Sequence, residues 1–135
     1  FYPKDLTPGC TTEACDFTDK HSYFDDLDAI ILGVSPDDTE KHRKFIDKYD
    51  LTTTLLSDTS KKMCVDFGVW KLKKFMGKEF MGVVRTTFII DPDGKVAAIW
   101  DGVNVRKKKS VKGEKIEILH VDEVREKLQE LQSNN

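Results

Sequence analysis

Residues 1–19 read FYPKDLTPGCTTEACDFTD, from Phe1 to Asp19. Two aromatic residues followed by Pro3-Lys4-Asp5 have the character of a buried strand's last residues entering a loop. Residues 3–9 carry Pro, Asp, Thr and Gly and read as that loop. Thr7-Pro8 then supplies a helix start, with Thr at the N-cap and Pro at the first helical position, where its missing N–H costs nothing. A helix is expected from about Pro8 to about Phe24, with Ala14, Phe17 and Tyr23 on its apolar side.

Working outward, Ala29-Ile30-Ile31-Leu32-Gly33-Val34 is a short continuous apolar run that suits a strand buried on both faces. Ser35-Pro36-Asp37-Asp38 opens a second helix, acidic first and basic later, ending near Tyr49-Asp50. Leu55-Leu56 is a second strand candidate. Thr59-Ser60 opens a third helix with Met63, Val65 and Phe67 apolar and Gly68 as its stop. Residues 71–82 read as a loop, and Val83 to Ile90 as a strand. Asp91-Pro92-Asp93-Gly94 is a turn, and Lys95 to Trp100 the returning strand of a hairpin. Ile116 to Leu119 is either a short strand or irregular, and Val121 to Leu131 is an amphipathic helix. This alternation, closing on a hairpin and a helix, is the layout of a thioredoxin-like α/β domain, although other α/β folds share such stretches.

The chain has 135 residues, which suits one domain, and 39% hydrophobic content, enough for a core. The net charge of −2 gives no global field favouring nucleic acid or membrane. No apolar run approaches the roughly 18 residues of a membrane span. Ser133-Asn134-Asn135 forms a short polar tail. The chain opens at Phe1 without Met, so further residues are expected upstream, and the compartment is not readable from this end.

Three cysteines, Cys10, Cys15 and Cys64, are too few and too sparse for a secreted disulfide scaffold. They fit free thiols in an intracellular setting, the cytoplasm by default, with organelle and nucleus left open. Metal binding is not expected. Four residues separate Cys10 from Cys15, and His21, His42 and His120 are scattered. No cofactor is expected.

Cys10 carries the chemistry. With Thr7 at the N-cap it occupies the third helical position, where free N–H groups and the helix dipole favour thiolate over thiol. A thiolate is the nucleophilic form of the side chain. The Thr7 hydroxyl on the same turn has the reach to bond the sulfur or a substrate oxygen, and Pro3 to shield the site from water. The plainer alternative for a lone cysteine is a small buried hydrophobe.

Pro3, Thr7 and Cys10 stand at the spacing Pro-x-x-x-Thr-x-x-Cys, which resembles the peroxiredoxin active-site motif. The fuller string YPKD-x-TPGCT-x-EAC-x-F-x-D is similar to the peroxiredoxin Q, or bacterioferritin-comigratory-protein, subfamily. The resemblance continues through Gly33-Val34-Ser35, Leu55-Leu56-Ser57-Asp58, Phe67-Gly68-Val69-Trp70 and Arg85-Thr86-Thr87-Phe88-Ile89-Ile90-Asp91, to about residue 101. It implies one thioredoxin-like domain over residues 1–135, with a central sheet flanked by helices; such proteins normally carry an N-terminal hairpin and a long central strand before the Pro motif, and of these the given sequence holds only Phe1-Tyr2. It also implies a monomer.

The resemblance further implies site roles. Cys10 would be the peroxidatic thiol, and Arg85 the guanidinium that approaches thiolate and peroxide. Glu13 would orient Arg85, and Cys15 would be the resolving thiol. The alternatives are a surface charge for Arg85, a solvated helix carboxylate for Glu13 and a packed helix thiol for Cys15. Two residues five apart on an intact helix differ by about 140° in direction and about 7.5 Å in rise. A Cys10–Cys15 disulfide therefore requires the helix to unwind. The implied function is reduction of hydrogen peroxide and organic hydroperoxides, with recycling by thioredoxin or a related dithiol.

Cys64 has no counterpart in the resemblance and reads as core packing, with oxidative dimerisation through it as the lesser alternative. Arg106-Lys107-Lys108-Lys109 reads as a solvated loop, or as a nuclear-localisation or anionic-surface patch. Nucleic acid is not an expected partner, since no aromatic-basic stripe is present. Two rival functions are a thioredoxin-type exchanger, which usually needs CxxC where this chain has Cys10-Thr11-Thr12-Glu13, and a non-enzymatic holdase or interaction module.

Overall fold

The computed structural model describes residues 1–133; Asn134 and Asn135 of the polar tail lie outside the described residues. The first helix region is two helices, α1 (Pro8–Asp19) and α2 (His21–Asp26), broken at Lys20. The break shifts the helical phase. Phe24 turns inward at 2% exposure, and Tyr23, expected inside, is exposed beneath the guanidinium of Arg125.

Strand β1 (Leu32–Ser35) pairs in parallel with β2 (Thr54–Ser57). Between them runs α3 (Thr39–Tyr49), capped by the Asp38 carboxylate, which accepts from Lys41 N–H at 2.8 Å, and closed by Asp50 in the left-handed region. The cap sits later than Ser35 because Ser35 belongs to the strand end. Burial on both faces holds only at the C-terminal end of β1, where Val34 and Ser35 point to opposite faces and are both buried. Ile30, ahead of the strand, and Leu32 are 86% and 53% exposed.

Helix α4 (Lys62–Asp66) starts later than Thr59 because its N-terminal N–H groups are served by Asp58, which accepts from Met63 N–H at 3.2 Å and Cys64 N–H at 2.8 Å. Cys64, fully buried against Val69 and Val83, is the helix's core residue, while Val65 is exposed.

The region read as a loop at 71–82 is a hairpin, β3 (Trp70–Phe75) with β4 (Lys78–Val83). Its turn is Met76-Gly77, both at positive φ, the geometry of a two-residue hairpin turn. The exposed Lys-rich faces hid the period-two pattern that marks a half-buried strand. The strand expected from Val83 to Ile90 is interrupted at Val84-Arg85. Strand β5 (Thr86–Ile90) then pairs antiparallel with β6 (Val96–Asp101).

The basic cluster is also not a loop. Strand β7 (Arg106–Val111) pairs antiparallel with β8 (Glu114–Leu119), turning at Lys112-Gly113. The two ends of this hairpin meet where His120 N–H donates to Val105 C=O at 2.9 Å. Helix α5 (His120–Ser133) closes the chain, burying Val121 and Val124 against Phe24.

Phe1 and Tyr2 stitch the strand pairs together. Tyr2 N–H donates to Val34 C=O at 2.9 Å, and Phe1 C=O accepts from Thr86 N–H at 3.1 Å. The order across this part is therefore β2, β1, Phe1–Tyr2, β5, β6. Gly33 permits the close approach: a Cβ there would lie 2.8 Å from Leu55 Cδ2 and 3.3 Å from Tyr2 Cε1. Tyr2, Cys10, Phe45 and Leu51 form the core under the N-terminus of α1. Phe45 is fully buried, and its truncation to Ala costs about 3–5 kcal/mol by loss of transfer energy and cavity formation. No helix among the described residues is long and apolar enough to cross a membrane.

Candidate active site

Cys10 is the third residue of α1 and 2% exposed. Thr7 takes the N-cap place by its backbone, with φ −89° and ψ 154°, and its carbonyl accepts from Thr11 N–H at 2.8 Å. Its side chain does not cap the helix or reach the sulfur. The Thr7 hydroxyl donates to Lys4 C=O at 2.8 Å, because the turn through Leu6, at φ 64°, brings that carbonyl beneath it. Pro3 is half-buried in the same loop.

Arg85 arrives from the break between β4 and β5, where its carbonyl accepts from Val103 N–H at 2.8 Å. Its Nη2 donates to Cys10 Sγ at 3.3 Å and its Nη1 to Glu13 Oε1 at 2.8 Å. Burial works against a charged Arg85, but Glu13 and Cys10 outweigh it and hold the guanidinium more firmly protonated than usual. Burial raises the Glu13 carboxyl, against the pull of Arg85. Side chains of Arg85 and Glu13 are 16% and 12% exposed, so the ion pair is largely shielded from water. Gly9, which sequence reasoning did not single out, makes room for this geometry: a Cβ there would meet Arg85 Nη2 at 3.1 Å.

Cys15 lies on the same helix and is half-buried. Burial, then the carboxylates of Asp19 and Asp16, push its thiol up. All three cysteines are free thiols, and α1 is regular from Pro8 to Asp19, so Cys10 and Cys15 are held apart as helix geometry dictates. Cys64 lies apart from this site; burial, then Asp58, pushes its thiol up to about 12.

The loop before Thr7 is anchored by groups that carry no signal in the sequence. Asp5 is 1% exposed and accepts from the Tyr2 hydroxyl at 2.5 Å, while its other oxygen meets His42 Nδ1 at 2.5 Å. His42 Nε2 faces Leu56 C=O at 3.1 Å. Asp37 accepts from Asp5 N–H at 2.7 Å and Ser35 Oγ at 2.7 Å, and pairs with Lys41 at 3.0 Å. Burial alone would raise Asp37, yet these donors hold it below the usual carboxylate range. Asp5, Asp37 and His42 bring ligand-type atoms within 4.8 Å of one another, but each of those atoms already has a protein partner. The cluster is therefore an internal polar network that fixes the loop.

A buried thiol at a helix start, touched by a shielded guanidinium, is an arrangement for stabilising negative charge on sulfur and on an attacked oxygen. The model of the AhpC/TSA family matches residues 1–99. Peroxiredoxin Bcp of Bacillus subtilis is 57% identical over 106 residues, covering 78% of this chain and 68% of that protein. Peroxiredoxin Bcp of Escherichia coli is 45% identical over 101 residues, covering 75% of this chain and 65% of that protein. Among solved structures, the bacterioferritin comigratory protein of Xanthomonas campestris, described for alkyl peroxide reduction, superposes with a TM-score of 0.80 at 39% identity. That match covers 96% of this chain and 74% of the other. A cysteine-to-serine mutant of Xylella fastidiosa PrxQ gives 0.83 at 34% identity, over 98% of this chain and 74% of the other. With its thioredoxin-like fold and these relatives, the chain belongs to the AhpC/TSA family, among the peroxiredoxins of the Bcp and Q kind, and is a thiol peroxidase.

Proposed function

We propose that Cys10 is the thiol that attacks the peroxide and Cys15 the thiol that resolves the product. The observation that carries this reading is the 3.3 Å contact from Arg85 Nη2 to Cys10 Sγ, with Glu13 holding the other arm of the guanidinium. The Cys10 thiolate attacks one peroxide oxygen. The O–O bond breaks, the sulfur becomes a sulfenic acid and the leaving oxygen departs as water or an alcohol. Arg85 lies where charge builds on that oxygen. Thr7 and Pro3 shape the mouth of the site, and Glu13 keeps Arg85 aimed.

Cys15 then attacks the Cys10 sulfenic acid, giving an intramolecular disulfide and water. A dithiol donor of the thioredoxin kind reduces it by exchange. Hydrogen peroxide and organic hydroperoxides are the proposed substrates; the alkyl peroxide reduction described for the Xanthomonas relative supports the second class. The protein works as a monomer in a reducing intracellular compartment, the cytoplasm by default, where such a donor keeps the cycle turning.

The test is stopped-flow peroxide reduction with a thioredoxin-coupled readout. Cys10→Ser abolishes turnover. Cys15→Ser keeps the first oxidation and stalls recycling by thioredoxin. Turnover retained in Cys10→Ser overturns the assignment.

A further inference from the structure

The β7–β8 hairpin is an excursion of the chain that closes on itself at Val105 and His120, beyond the residues matched by the family model. Arg106, at its base, reaches back to α1. Its Nη2 donates to Asp16 Oδ1 at 2.7 Å and its Nε to Asp16 Oδ2 at 3.2 Å, a two-point grip on one carboxylate. Nη1 also bonds Glu117 Oε1 at 3.3 Å, which fixes the guanidinium from the hairpin side. The Asp16 side chain is 4% exposed, against 43% for Arg106. Asp16 is thus a carboxylate withdrawn from water, and Arg106 is the partner that the contacts supply for its charge.

Asp16 follows Cys15 directly, on the helix that must open if Cys15 is to meet Cys10. We propose that Arg106 is a positioning residue for the resolving step: its grip on Asp16 latches the C-terminal half of α1 and slows the unwinding that delivers Cys15. This rests on the reading of Cys15 as the resolving thiol. An unwinding that carries Cys15 toward Cys10 draws Asp16 from its seat and breaks both bonds to Arg106. Without Arg106, the closed helix holds an unpaired buried carboxylate that regains water on opening, so the opened form gains population.

The latch sets the outcome of a competition at the Cys10 sulfenic acid. In one branch the Cys15 sulfur attacks: the S–O bond breaks, an S–S bond forms, and the Cys15 proton leaves with the hydroxyl as water. In the other, the sulfenate sulfur takes an oxygen from a second peroxide; the O–O bond breaks, sulfinic acid forms and an alcohol or water is released. A tighter latch favours the second branch at high peroxide.

The experiment compares unsubstituted protein with Arg106→Ala, Arg106→Lys and Glu117→Gln. After one equivalent of hydrogen peroxide, sulfenic acid formation and Cys10–Cys15 disulfide formation are timed separately by rapid quench and peptide mass mapping. Disulfide formation accelerates about two- to fivefold in Arg106→Ala, the scale of one partly exposed ion pair. Arg106→Lys, which keeps the charge and loses the fork, falls between, and Glu117→Gln changes the rate least. The rate of sulfenic acid formation stays the same in all four, and sulfinic acid at excess peroxide falls as the disulfide rate rises. If disulfide forms at the same rate or more slowly in both Arg106 variants, the latch is overturned while the resolving role of Cys15 stands. If the unsubstituted protein forms no Cys10–Cys15 disulfide, the resolving role itself fails and the latch falls with it.

Discussion

Arg85 and Cys10, 75 residues apart in sequence, meet through a donated hydrogen bond of 3.3 Å between Nη2 and Sγ. The contact needs a break in the sheet at Val84-Arg85, a helix that starts at Pro8 and a glycine at position 9 that leaves the guanidinium room. Replacing Arg85 by Gln keeps a donor and removes the charge. The second-order rate of Cys10 oxidation, followed by stopped-flow fluorescence, should fall by about 10²-fold, the effect of losing one preorganised oxyanion donor. An unchanged rate would remove Arg85 from the mechanism.

In the proposed mechanism Glu13 acts on the same chemistry at one remove, through its ion pair with Arg85. Glu13→Gln weakens the 2.8 Å ion pair that aims Arg85, and the oxidation rate should drop on the order of tenfold, less than for Arg85→Gln. In the Arg85→Gln background the Glu13 substitution should add little, because its effect runs through the missing guanidinium. Fully additive losses would assign Glu13 a separate task.

Cys64 should behave as a core residue. It is fully buried, its thiol is pushed up to about 12, and it packs between Val69 and Val83. Alkylation of native protein, mapped by mass spectrometry, should leave Cys64 unmodified until denaturant is added. Cys64→Ala should leave peroxide turnover intact while lowering stability by about 1 kcal/mol. Rapid native labelling at this position would contradict the packing argument.

His120 makes a signed prediction about acid stability. Burial lowers its pKa to about 4, from 6.5, although Glu123 pulls the other way. Between those two values the unfolded chain takes up a proton that the folded chain refuses. The stability contributed by neutral His120 is therefore whole above pH 6.5 and is lost as pH falls toward 4, up to about 3 kcal/mol. Asp5 and Glu13, whose carboxyls are raised by burial, work in the opposite sense over an overlapping range, so the difference between parent and His120→Gln is the quantity to read. Urea titrations at pH 7, 5.5 and 4.5 should show the parent losing stability more steeply than the variant. Parallel slopes would place the proton elsewhere.

Particular residues show why some of this was legible in the sequence. Thr7-Pro8 marks the start of α1 because the N-cap and N1 positions have local steric and hydrogen-bonding demands that adjacent residues satisfy. Asp91 to Gly94 marks a turn for the same reason. The β3–β4 hairpin and strand β7 escaped, and β8 was legible only as a possible short strand at Ile116 to Leu119, because both faces are mostly exposed and the turns use Met76 and Lys112 at positive φ ahead of a glycine. Ile30 and Leu32 misled in the other direction, since an apolar run does not specify what packs against it.

The sequence by itself determined that a thiol sits in the first turn of a helix, behind a Pro-x-x-x-Thr motif, in an α/β chain with a second thiol five residues on. Only the tertiary structure decided which charges meet it: Arg85 on Cys10 and Glu13, Asp5 on His42, and Arg106 on Asp16, the last across 90 residues. The physical reason is range. Caps, turns and helix phase are settled by neighbours a few bonds away, whereas ion pairs between distant elements exist only where packing of the core brings their backbones together.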